Sequence, residues 1–175
     1  LVHVGNHDND GSNVTLQAVH SLTEAHKMNE TKTNSGGWRD SSLRRKMNHG
    51  GVLWSKLSEG MRSRIKTVQK RTRFGSGNTS MLMTYDGMWL LSHSELSGTG
   101  VKGMDGNQVR TATDGLSSGA LTEGSQYAYW KHKGAGANSV NPSLDPKMAW
   151  TRLLDTPTGG GESWWQRSPY TGNTA

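Results

Sequence analysis

The stretch "WRDSSLRRKMN" (residues 38–48) decides how this chain is read. Asp40 or Ser41 stands where a helix N-cap belongs, and Leu43 and Met47 follow at i and i+4. That spacing puts both apolar side chains on one face of a short helix, which "HGG" (49–51) ends. Beyond the glycines, Leu53, Leu57, Met61 and Ile65 recur every fourth residue, and Val68 follows three later. The pattern predicts a second helix with one buried face, passing into an extended segment near "KTVQKRTR" (66–73). "MWLLSHSEL" (88–96) reads as a buried strand and then a helical turn, because Ser92 and Glu95 fit the S-x-x-E capping box.

Working outward, "LVHVG" (1–5) alternates and reads as a strand. Residues 14–30 read as a strand followed by an irregular helix. "FGSGNTS" (74–80) reads as a loop, and so do the Gly/Ser/Thr-rich runs 97–125 and 131–161. "YAYW" (127–130) is strand-like or a short helix. No internal repeat or clean linker appears, so 175 residues are read as one domain.

Composition sets the core. Hydrophobic residues make up only 31% of the chain, Phe occurs once, and there are seven Trp and eight Met. A chain this poor in aliphatic residues is expected to bury Trp and Met instead. Cys is absent, which excludes disulfides, a thiolate nucleophile and cysteine metal sites. No run approaches 18 apolar residues, so no membrane span is expected. No signal peptide is evident, and the chain starts at Leu1 rather than Met, as a processed or partial piece would.

The formal charge is +6, and eleven of the 20 basic residues fall between positions 38 and 73. They are Arg39, Arg44, Arg45, Lys46, Lys56, Arg62, Arg64, Lys66, Lys70, Arg71 and Arg73. Such a stripe suits phosphates. The apolar positions interleaved with it equally describe the solvated face of a core-packed helix, and no nucleic-acid-binding signature accompanies it. A nucleic-acid partner is therefore the weaker alternative.

Catalytic and metal signals are thin. No G-x-S-x-G elbow is present, and Glu95 is already explained as a cap. "HDNDGSN" (7–13) sets Asp8, Asp10 and Asn13 around a glycine, a weak Ca²⁺ candidate that lacks the closing Glu of an EF-hand. No cofactor is expected. The aromatic and Asn side chains offer a different chemistry, because indole and phenol rings stack on sugar faces. Candidate ligand contacts are Tyr127, Tyr129, Trp130, Asn138, Asn141, Tyr170 and Asn173, with the runs 97–125, 131–141 and 170–174 as presenting loops.

Near the end stands "ESWWQRSP" (162–169). Neighbours in a strand face opposite sides, so one of Trp164 and Trp165 should be buried. Arg167 should share the side of Trp165 and stack on an indole or pair with a carboxylate. Taken in order, "WRDSSLRRKMN", "MWLLSHSEL" and "WWQRSP" resemble an uncharacterised family of bacterial and phage domains. Its signature is S-x-L-R-x-x-L-N, then W-L-L-S-x-x-E, then W-W-L-R-S-P, and Gln166 departs from the last. The resemblance covers roughly residues 38–169. It marks Trp38, Leu43, Arg44, Asn48, Trp89, Ser92, Glu95, Trp164, Trp165 and Arg167 as structural motif positions.

The same resemblance implies a phage tail or other virion protein, or a bacterial surface protein. Its W-x-R-S motif is similar to that of the C-type-lectin-like and formylglycine-generating-enzyme superfold. The implied fold is α+β and C-type-lectin-like: two early helices, a small twisted antiparallel sheet and long loops. The formylglycine-generating activity needs cysteine and does not carry over. The implied protein is not an enzyme. It is a homo-oligomer located in the virion or at the cell surface, contacting other subunits and a host-surface glycan or protein. A purely structural virion subunit is the alternative. Family members continue past W-x-R-S-P, whereas this chain runs six residues beyond Pro169. The strand at 1–5 is therefore expected to lack its usual partner, unless a longer polypeptide or another chain completes the sheet.

Overall fold

In the computed structural model, the described residues are 1–7, 13–18, 24–75, 78–98, 123–133, 153–155 and 161–163. They build a mixed α+β architecture of short helices and three two-stranded antiparallel sheets. Strand β1 (Val2–Gly5) pairs with β2 (Thr15–Gln17), β3 (Val68–Gly75) with β4 (Asn78–Asp86), and β5 (Leu153–Asp155) with β6 (Gly161–Ser163). The first strand pairs with β2, and the end of the chain, which bears on its usual partner, lies outside the described residues.

The first helix forms where it was expected, but in two pieces. α1 (Gly37–Asp40) is followed by Ser41 in extended conformation, and α2 (Ser42–Met47) restarts after it. Ser41 Oγ accepts the Arg44 N–H at 3.1 Å and so caps α2. Gly37, at φ 53, opens α1 where a Cβ would lie 2.2 Å from the Arg73 carbonyl oxygen. That closeness sets α1 directly against β3.

The second helix is not continuous. α3 (Val52–Ser55) and α4 (Glu59–Arg62) are separate turns. Ser58 breaks them by adopting extended geometry as the N-cap of α4, its Oγ taking the Met61 N–H at 3.3 Å. The break leaves carbonyls without helical partners, and Arg62 Nη1 donates to two of them, Ser55 O at 3.1 Å and Leu57 O at 2.9 Å. The four-residue apolar spacing therefore reflects two successive turns, not one helical face.

Residues 74–75 and 78–80, expected as loop, are strand: they belong to β3 and β4, and Gly75 pairs with Asn78. The expected strand at 88–91 is irregular chain. Asn48 explains it, because its Oδ1 accepts from Gly87 N at 2.9 Å and Met88 N at 3.2 Å, while its Nδ2 donates to Met88 O at 2.9 Å. These main-chain groups are satisfied by one side chain instead of a neighbouring strand. No helix forms over 24–30. Residues 128–130 are helical, in α6 (Ala128–His132), and Tyr127 is its extended N-cap.

The core gathers Val4, Leu91, Leu96, Tyr127 and Trp130, with Val2, Trp89 and Tyr129 packed against it. Trp38, Leu43 and Leu53 are buried as well. Met contributes less than composition suggested: Met28, Met47, Met61, Met81 and Met88 are half-buried, and Met83 is exposed. Leu and Trp carry the interior among the described residues.

Candidate functional site

Two buried polar centres tie the helices to the β3–β4 hairpin. The first is Asp86, at the end of β4 and 0% exposed. Its Oδ1 accepts Arg44 Nε at 2.7 Å, and its Oδ2 accepts Trp38 Nε1 at 2.8 Å and Thr84 Oγ at 2.6 Å. Arg44 also donates to Arg39 O at 3.2 Å. One carboxylate therefore binds α1, α2 and β4 together. A buried carboxylate is tolerated only when bonded in this way.

The second centre is Lys70, on the inner face of β3 and 1% exposed. Its Nζ donates to Glu95 Oε1 at 2.5 Å, contacts His7 Nδ1 at 3.1 Å, and stands 4.3 Å from the Trp89 ring centroid. His7 Nε2 lies 3.1 Å from Gln69 O. A carbonyl only accepts, so Nε2 carries the proton and Nδ1 is left to accept from Lys70. Glu95 serves twice. Its Oε2 takes the Ser92 N–H at 2.9 Å while Ser92 Oγ takes the Glu95 N–H at 3.2 Å, closing the capping box of α5 (His93–Ser97).

Beside Lys70, Glu123 is 1% exposed and accepts the Arg73 N–H at 2.7 Å. Gly124, at φ 146, lies where a Cβ would come within 2.8 Å of Glu95 Cγ. A cleft of about 300 Å³ opens here against β3, lined by His7, Lys70, Arg71, Glu123, Gly124 and Ser125 among others.

The motif positions within the described residues all point inward. Trp38, Leu43, Arg44, Asn48, Trp89, Ser92 and Glu95 each pack or bond inside the fold. The candidate ligand contacts are differently placed. Tyr127 and Trp130 lie in the core, with Trp130 Nε1 donating to Gln17 Oε1 at 3.1 Å. Tyr129 is half-buried, edge-on to Trp130 at 5.1 Å. These rings are therefore packing elements, not a displayed platform. Asn138, Asn141, Tyr170 and Asn173 lie outside the described residues, as do Trp164, Trp165 and Arg167 of the last motif. Of the Ca²⁺ candidates, Asp8 and Asp10 also lie outside. Asn13 is half-buried, and among the described residues no three His, Cys, Asp or Glu side chains cluster to hold a metal.

The basic stripe is dispersed. Lys70 and Arg73 are buried, and Arg44 holds Asp86. Arg39 pairs with Asp40 at 2.8 Å and holds that carboxyl below the ordinary carboxylate range, mainly through the hydrogen bond. Lys46 pairs with Glu30, Lys56 with Glu24, and Arg45, Arg62 and Arg64 donate to main-chain carbonyls. Lys66 and Arg71 remain on the surface.

Sequence reasoning missed Asp86, His7 and Glu123 as parts of buried centres, and placed Lys70 only in the basic stripe. Lys70 carried a faint signal: Val68, Lys70 and Thr72 alternate with Gln69, Arg71 and Arg73, which is strand periodicity with a polar inner row. Among the described residues, no helix is long and apolar enough to cross a membrane. No curated protein and no solved structure matches the chain. A family model does match, over residues 12–175, and the chain accordingly belongs to DUF6273, a domain of unknown function.

Proposed function

We propose that this domain is a non-enzymatic recognition module, C-type-lectin-like in type, of a phage tail fibre, tail tip or decoration protein or of a bacterial surface. Its helices, hairpin and buried polar centres form the scaffold, and its Gly/Asn/Ser-rich loops meet a host-surface glycan or protein. One observation carries this reading. Arg44, Asn48, Ser92 and Glu95, the polar motif side chains within the described residues, are all bonded inside the fold. These motif positions thus maintain a frame, which leaves the Gly/Ser/Asn-rich runs read from the sequence to supply the contacts. Host-cell and glycan-array binding by the full-length oligomer tests it. Loss of binding on replacing residues 134–141, the part of the run 131–141 beyond α6, with the fold retained, supports the module. An oligomer that binds no host surface or polymer refutes it.

A structural virion subunit is the second reading, favoured by one feature. Met83 and Tyr85 stand side by side on the outer face of β4, 46% and 65% exposed. A neighbouring subunit would cover them, and protection of both side chains in the assembled particle would support this role. Nucleic-acid association fits less well, because most of the basic stripe is already engaged in internal bonds.

A further inference from the structure

Strand β3 is hydrogen-bonded to β4 along one edge. Side chains address the opposite edge: His7 Nε2 donates to Gln69 O at 3.1 Å, and Glu123 accepts the Arg73 N–H at 2.7 Å. In an antiparallel pair, alternate residues turn their main-chain groups to opposite edges. Residues 69, 71 and 73 therefore aim N–H and C=O away from β4. Arg71 stands midway between the two clamped positions, and its main chain faces the cleft of about 300 Å³ that His7 and Glu123 also line.

One donor and one acceptor on a single edge residue complement a secondary amide, as in strand addition. A longer extended peptide would also need Gln69 O and Arg73 N–H, which His7 and Glu123 already hold. The slot therefore takes one amide, not a strand, and its volume lies at the small end of ligand sites. Lys70 is answered by Glu95, so the cleft calls for a neutral polar guest. We infer that this slot holds the acetamido group of an N-acetylated sugar, an assignment that rests on the glycan-recognition reading above.

The test is a ¹⁵N NMR titration of the full chain with N-acetylglucosamine, glucose and N-acetylalanine methylamide. N-acetylglucosamine should shift the Arg71 amide, and glucose should not. Arg71→Pro removes the outward N–H without touching the ladder, a position where proline is tolerated. It should weaken binding about tenfold, whereas Arg71→Ala should not. Should Arg71→Pro fail to fold, Ser125→Trp, which fills the cleft, carries the same expectation. Glycan binding unaffected by these variants, with no Arg71 shift, overturns the slot but leaves the recognition module standing. An equal response to glucose overturns the amide assignment, and a stronger response to the methylamide replaces sugar with peptide. Absence of binding to any arrayed glycan removes both slot and glycan recognition.

Discussion

Replacing Asp86 by alanine is the sharpest perturbation of the frame. The wild-type carboxylate is wholly buried and accepts from Arg44 Nε, Trp38 Nε1 and Thr84 Oγ. After truncation, Arg44 recovers partly, because its side chain is 23% exposed and reaches water. Trp38 and Thr84 do not recover, since both are buried. Two orphaned buried donors at about 1–3 kcal/mol each give a loss of about 2–6 kcal/mol. The range measured for breaking buried ion pairs, about 3–5 kcal/mol, narrows the expectation to about 4 kcal/mol. Against a total of about 5–15 kcal/mol, that is a large share of the stability of a domain. Urea unfolding followed by Trp fluorescence reads it directly. With a slope of about 2 kcal/mol per molar, the midpoint should fall by about 2 M. Combining Asp86→Ala with Arg44→Ala should cost less than the sum of the two, by about 1–3 kcal/mol, since both remove one interaction. A loss below about 1 kcal/mol, or strict additivity, would refute the idea that this carboxylate joins α1, α2 and β4.

Other perturbations test the remaining parts of the frame. Lys70→Met leaves the Glu95 carboxylate buried without its ammonium and should destabilise by about 3–5 kcal/mol; adding Glu95→Gln should recover part of that loss in the same urea assay, because a neutral pair no longer needs the ammonium. Gly37→Ala forces a side chain into left-handed geometry and against the Arg73 carbonyl, so it should cost more than about 2 kcal/mol, read as a lowered Tm. Arg39 lowers the folded pKa of Asp40, so its contribution is present above the ordinary Asp range and fades as pH falls through the lowered value. Asp40→Asn should therefore flatten the acid limb of a Tm-against-pH curve, and an unchanged limb would count against the pair.

The sequence exposed those parts of the fold that are local. Ser41 and Ser92 cap helices because a hydroxyl reaches a backbone N–H two or three residues on, and that spacing is visible in one dimension. The strand at 1–5 showed itself by alternation. What stayed hidden depends on partners distant in the chain. Nothing near Asn48 indicates that its amide will organise residues 87 and 88, and that bonding converts an apolar run from strand into irregular chain. The repeat from Leu53 to Ile65 has helical spacing, yet Ser58, as the extended N-cap of α4, marks a break that Arg62 then stabilises. The hairpin escaped notice because its inner row is Lys70, Thr72, Thr84 and Asp86, and polar residues inside a sheet mimic a surface pattern. Tyr127 and Trp130 were drawn toward ligand binding because an aromatic side chain looks alike in sequence whether it packs or displays.

The division between a fixed frame and recognising loops is tested most directly by host-cell binding of the full-length protein, measured alongside its Tm. Replacing residues 134–141, beyond the end of α6, should abolish binding and leave Tm unchanged. Substituting exposed Lys66, outside both the frame and the loops, should alter neither. Retained binding after the loop replacement, or binding lost only in proportion to stability, would contradict the division.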